Sequence, residues 1–199
     1  MSNSGIAAVV DQRRLYAWCV VAALLCSCSG VPPEPDLSAD SATTATAQDW
    51  LLRDCTFGSQ GELAEEVRKK GDTLYKTFKN AYTKGPDSLT LCEWKEEAGR
   101  NYDAVIGLFS TTDTQRIPLR VRQQFQSTTK QDYVASVVAQ CVISYKSNAL
   151  LGLGLTRADS ALPFINAVVA DSKAGPTLHR SAKLAAQIYA DTSGQLLVY

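Results

Sequence analysis

Residues 87–109 read DSLTLCEWKEEAGRNYDAVIGLF, and this stretch decides the fold class. Its apolar residues recur at intervals of three and four positions: Leu91, Trp94, Ala98, Tyr102, Val105 and Phe109. That spacing places them on one face of an α-helix, which has to be buried against a core. Asp87 or Ser88 can cap this helix, because a short polar side chain accepts a hydrogen bond from the first free backbone amides.

An upstream series with the same spacing predicts a second long helix. Ser59 and Glu62 have the spacing of a capping box, in which each side chain hydrogen-bonds to the backbone amide of the other residue. The helix is expected to run to about residue 83, because Gly85 and Pro86 then stop it. Its inward face carries Leu63 and Val67 before Gly71, and Leu74, Phe78 and Tyr82 after it.

Residues 133–145 fit two patterns. Their apolar residues alternate at the period of a strand, and many of them are β-branched. Thr129, however, lies where a helix N-cap is expected, and the run is longer than an ordinary strand. Because no partner strand is evident elsewhere in the sequence, we predict a helix. Gly152 and Gly154 are then expected to break the chain.

Two shorter helices are expected at the C-terminal end. Asp159 is placed to cap the first, Gly175 and Pro176 to end it, and Thr177 to cap the second. The pair resembles a HEAT-type helix hairpin, with a longer turn, through Leu162, Pro163, Asp171, Arg180 and Ala182. No fixed period recurs upstream. The sequence therefore predicts an all-α fold, an irregular bundle of antiparallel helix pairs that is HEAT-like or α-solenoid-like at its C-terminal end.

The N-terminal segment has the order of a secretory signal. Arg13 and Arg14 precede an apolar run of about 12 residues, and small residues follow it. A helix of that length covers about 18 Å, which is short of the ~30 Å hydrocarbon core of a bilayer. An export signal is therefore predicted rather than a membrane-spanning helix.

The end of this run, Leu25-Cys26-Ser27-Cys28, resembles the lipobox of bacterial lipoproteins. The resemblance implies cleavage after Ser27 and lipidation of Cys28, which becomes the first residue of the mature chain. Two or three acyl chains hold a protein stably on a membrane, at about 0.8 kcal/mol per buried methylene. The expected location is the bacterial cell envelope, on the inner or the outer membrane.

Composition divides the chain into three parts. Residues 1–27 are the predicted signal peptide, and residues 28–46 carry the lipidated cysteine and a tether rich in Pro, Ser, Thr and Ala. Such a tether buries too little apolar surface to order itself, so we expect it to be flexible. Residues 47–199 are predicted to form a single α-helical domain.

Three cysteines lie in the predicted domain. If the helix over 60–83 packs antiparallel against the next one, Cys55 and Cys92 lie about 36 Å apart, too far for a disulfide. Cys141 is therefore the better candidate for a disulfide, with Cys55 as its partner or, alternatively, with Cys92. Burial of all three as small apolar side chains remains equally open.

Candidate catalytic and metal-binding residues are few. His179 is the one histidine in the chain, and the cysteines lack metal-ligand spacing, so neither a metal nor a cofactor is predicted. Lys plus Arg and Asp plus Glu both number 20, which gives no strong attraction to nucleic acid. Six aromatic residues could line a pocket, although core packing is favoured: Trp94, Tyr102, Tyr133, Tyr145, Phe164 and Tyr189.

The function predicted from these observations is binding rather than catalysis. We expect a membrane-anchored envelope lipoprotein whose helical domain is a non-catalytic binding or scaffold module for another envelope protein. The alternative is a small-molecule-binding lipoprotein or an envelope hydrolase with its site between helices, and a hydrolase of the Ser/His or Cys/His type would need His179.

Overall fold

Amphipathic helices with short connections build the described part of the chain. The structure, a computed structural model, describes residues 39–52, 60–111, 117–191 and 193. These residues form eight helices and no strand, which confirms the predicted all-α fold. The helices are α1 (Ala39–Leu52), α2 (Gln60–Lys69), α3 (Gly71–Lys84), α4 (Ser88–Thr111), α5 (Leu119–Ser127), α6 (Lys130–Thr156), α7 (Ala161–Ala170) and α8 (Pro176–Ala190).

The 27-residue helix α6 is the centre of the bundle. It contacts α1, α2, α3, α4, α7 and α8, and its buried residues lie in its C-terminal half, from Tyr145 to Thr156. Leu150, Leu153 and Leu155 are fully buried there, together with Phe78 of α3 and Ile165 of α7. Burying apolar surface at roughly 25 cal/mol per Å² makes this half of α6 the main source of stability.

The prediction that Gly152 and Gly154 break the chain is wrong, because both lie inside α6. A Cβ atom on Gly152 would lie 2.8 Å from the ring of Phe78. A Cβ atom on Gly154 would lie 2.4 Å from the carbonyl oxygen of Ala185 in α8. These glycines therefore act as contact points for neighbouring helices. The helix ends instead where Arg157 adopts a left-handed conformation with φ 52°.

The single helix predicted over residues 60–83 is also wrong, since it is interrupted at Lys70 into α2 and α3. Its inward face is otherwise as predicted, with Leu63, Val67 and Leu74 among the buried residues. Gly71 lies at the break, where a Cβ atom would be 2.2 Å from the carbonyl oxygen of Thr156. The break between α2 and α3 therefore lies where the last turn of α6 comes close to the backbone of Gly71.

Two predicted N-caps are present. The hydroxyl of Thr129 accepts a hydrogen bond from the backbone amide of Asp132 at 3.1 Å, and residues 133–145 are helical as predicted. The carboxylate of Asp87 accepts from the amide of Thr90 at 2.8 Å. Hydrogen bonds from the backbone amide and from the side chain of Thr90 lower the pKa of Asp87. The capping box cannot be followed, because Ser59 lies outside the described residues.

The C-terminal helices start slightly away from their predicted caps. α7 begins after Ser160 rather than directly after Asp159, and no side-chain cap is formed. α8 begins at Pro176, whose fixed φ suits a first helical position. The two helices pack against each other, and both contact α6. Their likeness to a HEAT-type hairpin stays a prediction.

The folded domain begins earlier than the predicted boundary between residues 46 and 47. Helix α1 starts at Ala39, so eight residues assigned to the tether are helical. Thr46 is buried, and its hydroxyl lies 3.2 Å from the carboxylate of Glu66 in α2. Tertiary contacts therefore order a segment whose composition alone predicted flexibility.

A buried pair of hydrogen bonds joins α1 to α6. The indole nitrogen of Trp50 donates to the carbonyl oxygen of Asn148 at 2.7 Å. The side-chain amide of Asn148 donates in return to the carbonyl oxygen of Leu51 at 3.2 Å. Because an unpaired buried polar group is costly, this reciprocal pair fixes where α1 lies along α6.

We expect Gly154→Ala to lower the free energy of unfolding by about 1–3 kcal/mol, since the added methyl group meets the backbone of α8. Gly107→Ala is the matched control, because no atom lies within 4 Å of its Cβ position. The control should raise stability by about 0.5–1 kcal/mol through higher helix propensity. Urea denaturation followed by circular dichroism measures both. Equal stability of Gly154→Ala and the wild type would contradict the close approach.

Candidate functional site

Helix α4 and the N-terminal half of α6 form an antiparallel pair. Near the start of α4, Trp94 packs edge-on against Tyr145, with ring centroids 6.2 Å apart. Further along α4, Tyr102 packs against Tyr133 near the start of α6, at 5.5 Å. We call α4, α5 and residues 130–145 of α6 the arm. In α5 no residue is fully buried, and in α6 the buried residues begin at Tyr145.

An aromatic cluster holds the outer end of the arm together. The ring of Phe125 in α5 lies 5.6 Å from Tyr102, 6.1 Å from Phe109 and 5.3 Å from Tyr133. The hydroxyl of Tyr102 donates to the carbonyl oxygen of Thr128 at 3.0 Å. Helix α5 is therefore fastened to α4 and α6 by side-chain packing and by one hydrogen bond to the connecting backbone.

The six aromatic residues named as pocket or core candidates are spread over the bundle. Trp94 meets Tyr145, Tyr102 meets Tyr133, and Phe164 meets Tyr82 with centroids 5.7 Å apart. Tyr189 packs against the main core. Burial raises the pKa of Tyr145, which keeps its phenol neutral. These residues do not converge on one cavity.

An open groove of about 520 Å³ runs along the arm between α4 and α6. Its floor is apolar, and its rim carries two lysines; the lining residues are Lys95, Lys130, Gln131, Val134, Ala135 and Val138. Lys95 is exposed, and the amine of Lys130 lies 2.6 Å from the carboxylate of Asp103, with half of its side chain accessible. The groove thus combines an apolar floor with positive charge at its edge.

The apolar character of the arm extends around α6. Residues 133–145 carry no charged side chain, yet Ala135, Ala139 and Ile143 are exposed. Among the helices described, α6 alone has the length and mean hydropathy of a membrane span, judged by those two properties only. Within its 18-residue apolar window 22% of the residues are buried in the domain. Packing among the described residues therefore leaves much of the apolar surface of α6 uncovered.

His179, the histidine that a Ser/His or Cys/His hydrolase would need, contacts the backbone at the end of α7. Nε2 of His179, in the first turn of α8, lies 2.6 Å from the carbonyl oxygen of Asp171, which ends α7. This contact ties the two ends of the α7–α8 connection together. On α4, Glu96 and Arg100 form an i,i+4 ion pair at 3.8 Å, and both are exposed.

The predicted cysteine sites are only partly described. Cys92 is exposed near the start of α4, where its thiol lies 3.7 Å from the carboxylate of Glu96, and Cys141 is half-buried in α6. Cys28 and Cys55 lie outside the described residues, so lipidation and the Cys55 pairing stay predictions. Across residues 39–52, 60–111 and 117–191, no three His, Cys, Asp or Glu side chains are grouped to hold a metal ion.

Comparison of the chain with protein-family models, with curated proteins and with solved structures gives no match. Sequence reasoning missed the groove, although a signal for it was present. A helix that faces solvent on one side normally carries charges there, and residues 133–145 carry none.

We expect Phe125→Ala to loosen the arm without unfolding the core. The change removes the ring that joins α5 to α4 and α6, so amides over residues 119–133 should exchange with solvent at least tenfold faster. Amides of residues 149–155 in the main core should keep their protection. Hydrogen–deuterium exchange with mass spectrometry measures both regions. Leu119→Ala is the control on the same helix, because Leu119 is 60% exposed, and it should change neither region.

Proposed function

We propose that this protein is a lipoprotein of the bacterial cell envelope, anchored through Cys28, and that its helical domain is a non-catalytic binding or scaffold module for another envelope protein. The lipobox pattern at residues 25–28 supports the anchor. The observation that carries the binding function is the groove between α4 and α6, because it is an apolar surface left open to solvent.

The groove suggests the chemistry of the partner. Val134 and Val138 lie one turn apart on its floor, which suits an apolar helix that inserts side chains at intervals of three or four residues. Lys95 on the rim favours a carboxylate beside those apolar side chains, whereas the charge of Lys130 is balanced by Asp103. We therefore infer an amphipathic partner helix with Asp or Glu flanking its apolar face.

The proposed anchor restricts where binding takes place. Ten residues, 29–38, separate Cys28 from Ala39, where α1 begins. A fully extended chain spans at most about 3.5 Å per residue, so these residues reach no further than about 40 Å. A partner bound in the groove is consequently held close to the membrane that carries the lipid.

For the anchor, we expect Cys28→Ala to abolish metabolic labelling by palmitate and to release the chain from the membrane pellet. The physical reason is that the thiol of Cys28 is the proposed site of acyl attachment, and loss of the acyl chains removes the membrane affinity they provide. Intact mass, sedimentation and labelling are measured together. Cys26→Ala is the matched control, because Cys26 occupies the tolerant position of the pattern, and it should leave all three unchanged. Unchanged labelling of Cys28→Ala would contradict the anchor.

For the groove, we expect Val138→Glu to reduce capture of a specific envelope protein by at least tenfold. The new carboxylate would have to be desolvated on an apolar floor, where it would also repel an acidic partner. Capture from detergent-solubilised envelope is quantified by mass spectrometry against wild-type protein. Leu89→Glu serves as the control, since Leu89 is 68% exposed at the start of α4 and does not line the groove. Equal capture by all three proteins would contradict the role of the groove.

A further inference from the structure

A second apolar surface of α6 adjoins the groove and shares Ala135 with it. Ala135, Ala139 and Ile143 follow one another at intervals of four residues and are all exposed. Asp132 and Lys146 lie at the two ends of this line, each seven residues from Ala139. We call these five residues the Ala139 face. Seven residues are close to two turns of an α-helix, so the Cα atoms of Asp132 and Lys146 lie on the same side of α6 as Ala139. Within its own chain, the amine of Lys146 lies 5.6 Å from the centroid of the Tyr82 ring, and the carboxylate of Asp132 accepts a hydrogen bond from the hydroxyl of Thr129 at 2.7 Å.

The same side of α6 is covered further along the helix. Leu150 continues the line, eleven residues or about three turns after Ala139, and it is fully buried. The covering helix α8 runs parallel to α6, because Gly154 meets Ala185 and the side chain of Arg157 hydrogen-bonds to the carbonyl oxygen of Asp191. Pro176, the first residue of α8, precedes Ala185 by nine residues. Because both helices rise equally per residue, Pro176 lies level with the residue nine positions before Gly154, which is about residue 145 of α6. The Ala139 face begins where α8 stops.

We propose that the Ala139 face is the interface between two copies of this chain, packed antiparallel about a two-fold axis at Ala139. In that arrangement residues equally distant from Ala139 on either side face each other. Asp132 of each copy then faces Lys146 of the partner subunit, so both ends of the interface pair opposite charges. The charge pattern is therefore complementary to itself in this one register.

The side chains between the charges also fit this register. Ala139 meets its own equivalent at the axis, and Ile143 of one copy lies over Ala135 of the other. Alanines at the crossing allow two helix axes to approach to about 8 Å, and each isoleucine then fills the space above a small residue. Shape and charge thus favour the same arrangement.

A second copy fits this face better than a lipid does. The uncharged run of 13 residues, 133–145, is about 20 Å long as a helix, well short of the ~30 Å hydrocarbon core. A bilayer also gives no reason for opposite charges at equal distances from one alanine. The proposal is independent of Cys28, so failure of the lipid anchor would leave it standing. The second copy would also border the groove, because Val138 is about 100° around α6 from Ala139.

The first test is the mass of the full-length protein in mild detergent, measured by light scattering after subtraction of the detergent. Wild-type protein at tens of micromolar should have twice the mass of one chain, with the mass of one chain taken from denaturing mass spectrometry of the same sample. Ala139→Arg, which places two guanidinium groups at the axis, should have the mass of one chain. Gln140→Arg is the matched control, because Gln140 is exposed and points about 100° away, and it should remain dimeric. Circular dichroism verifies that each variant is folded.

The second test exchanges the charges. Asp132→Lys alone and Lys146→Asp alone each place like charges at both ends of a homodimer, and each should raise the dissociation constant about tenfold or more. An equimolar mixture of the two variants should recover wild-type affinity, because in the mixed dimer both ends again pair opposite charges. Asp132→Lys keeps the backbone half of the α6 cap, in which Thr129 accepts from the amide of residue 132, and removes the hydrogen bond from the Thr129 hydroxyl to the Asp132 carboxylate. Circular dichroism therefore verifies that both charge variants are folded.

Three results would overturn the proposal. One is a wild-type protein that stays at the mass of one chain over the whole concentration range. Another is an Ala139→Arg variant that dimerises as tightly as the Gln140→Arg control. The third is a mixture of the two charge variants that associates no better than either variant alone, which would exclude this register. Loss of capture in Val138→Glu with an unchanged dimer would separate the groove from the Ala139 face.

Discussion

Helix α6 can be surrounded by its neighbours only because side chains are missing where the backbones meet. Gly154 lies against the backbone of α8, Gly152 against the ring of Phe78, and Gly71 against the last turn of α6. At each position a Cβ atom would approach another atom to within 3 Å. Interiors are packed too densely to absorb such a group without displacing a whole helix. The positions of α3 and α8, and with them the main core, depend on these three glycines.

This close packing is confined to one half of α6 and explains why the bundle has an arm. In the C-terminal half, five helices bury α6, and the reciprocal hydrogen bonds between Trp50 and Asn148 fix α1 in place. Toward the N-terminal end, aromatic rings of α4 and α5 pack against Tyr133, whereas Ala135, Ala139 and Ile143 are exposed. One helix therefore serves as a core element at one end and presents apolar surface to solvent at the other.

Apolar surface of this kind is a functional feature in a protein of this size. Exposed single residues are ordinary, but a continuous uncharged face over more than three turns favours association. The groove and the Ala139 face lie side by side on α6 and differ in chemistry. The groove carries lysines at its rim and suits an acidic partner helix, whereas the Ala139 face has one charge of each sign and suits its own copy. Together they are the basis for the proposed module, which would associate with its own copy through one surface and bind a partner through the other.

The sequence by itself determined the helical class and several helix ends, because caps and periodicity are local properties. The stripe from Leu91 to Phe109 and the caps at Asp87 and Thr129 could be read from neighbouring residues alone. The tertiary structure decided the features that depend on contacts between residues far apart in the sequence. It made Gly152 and Gly154 contacts inside a continuous helix, interrupted the chain at Lys70, and ordered α1 from Ala39. It also decided which face of the uncharged helix stays open, since that depends on where α8 stops rather than on any residue within α6.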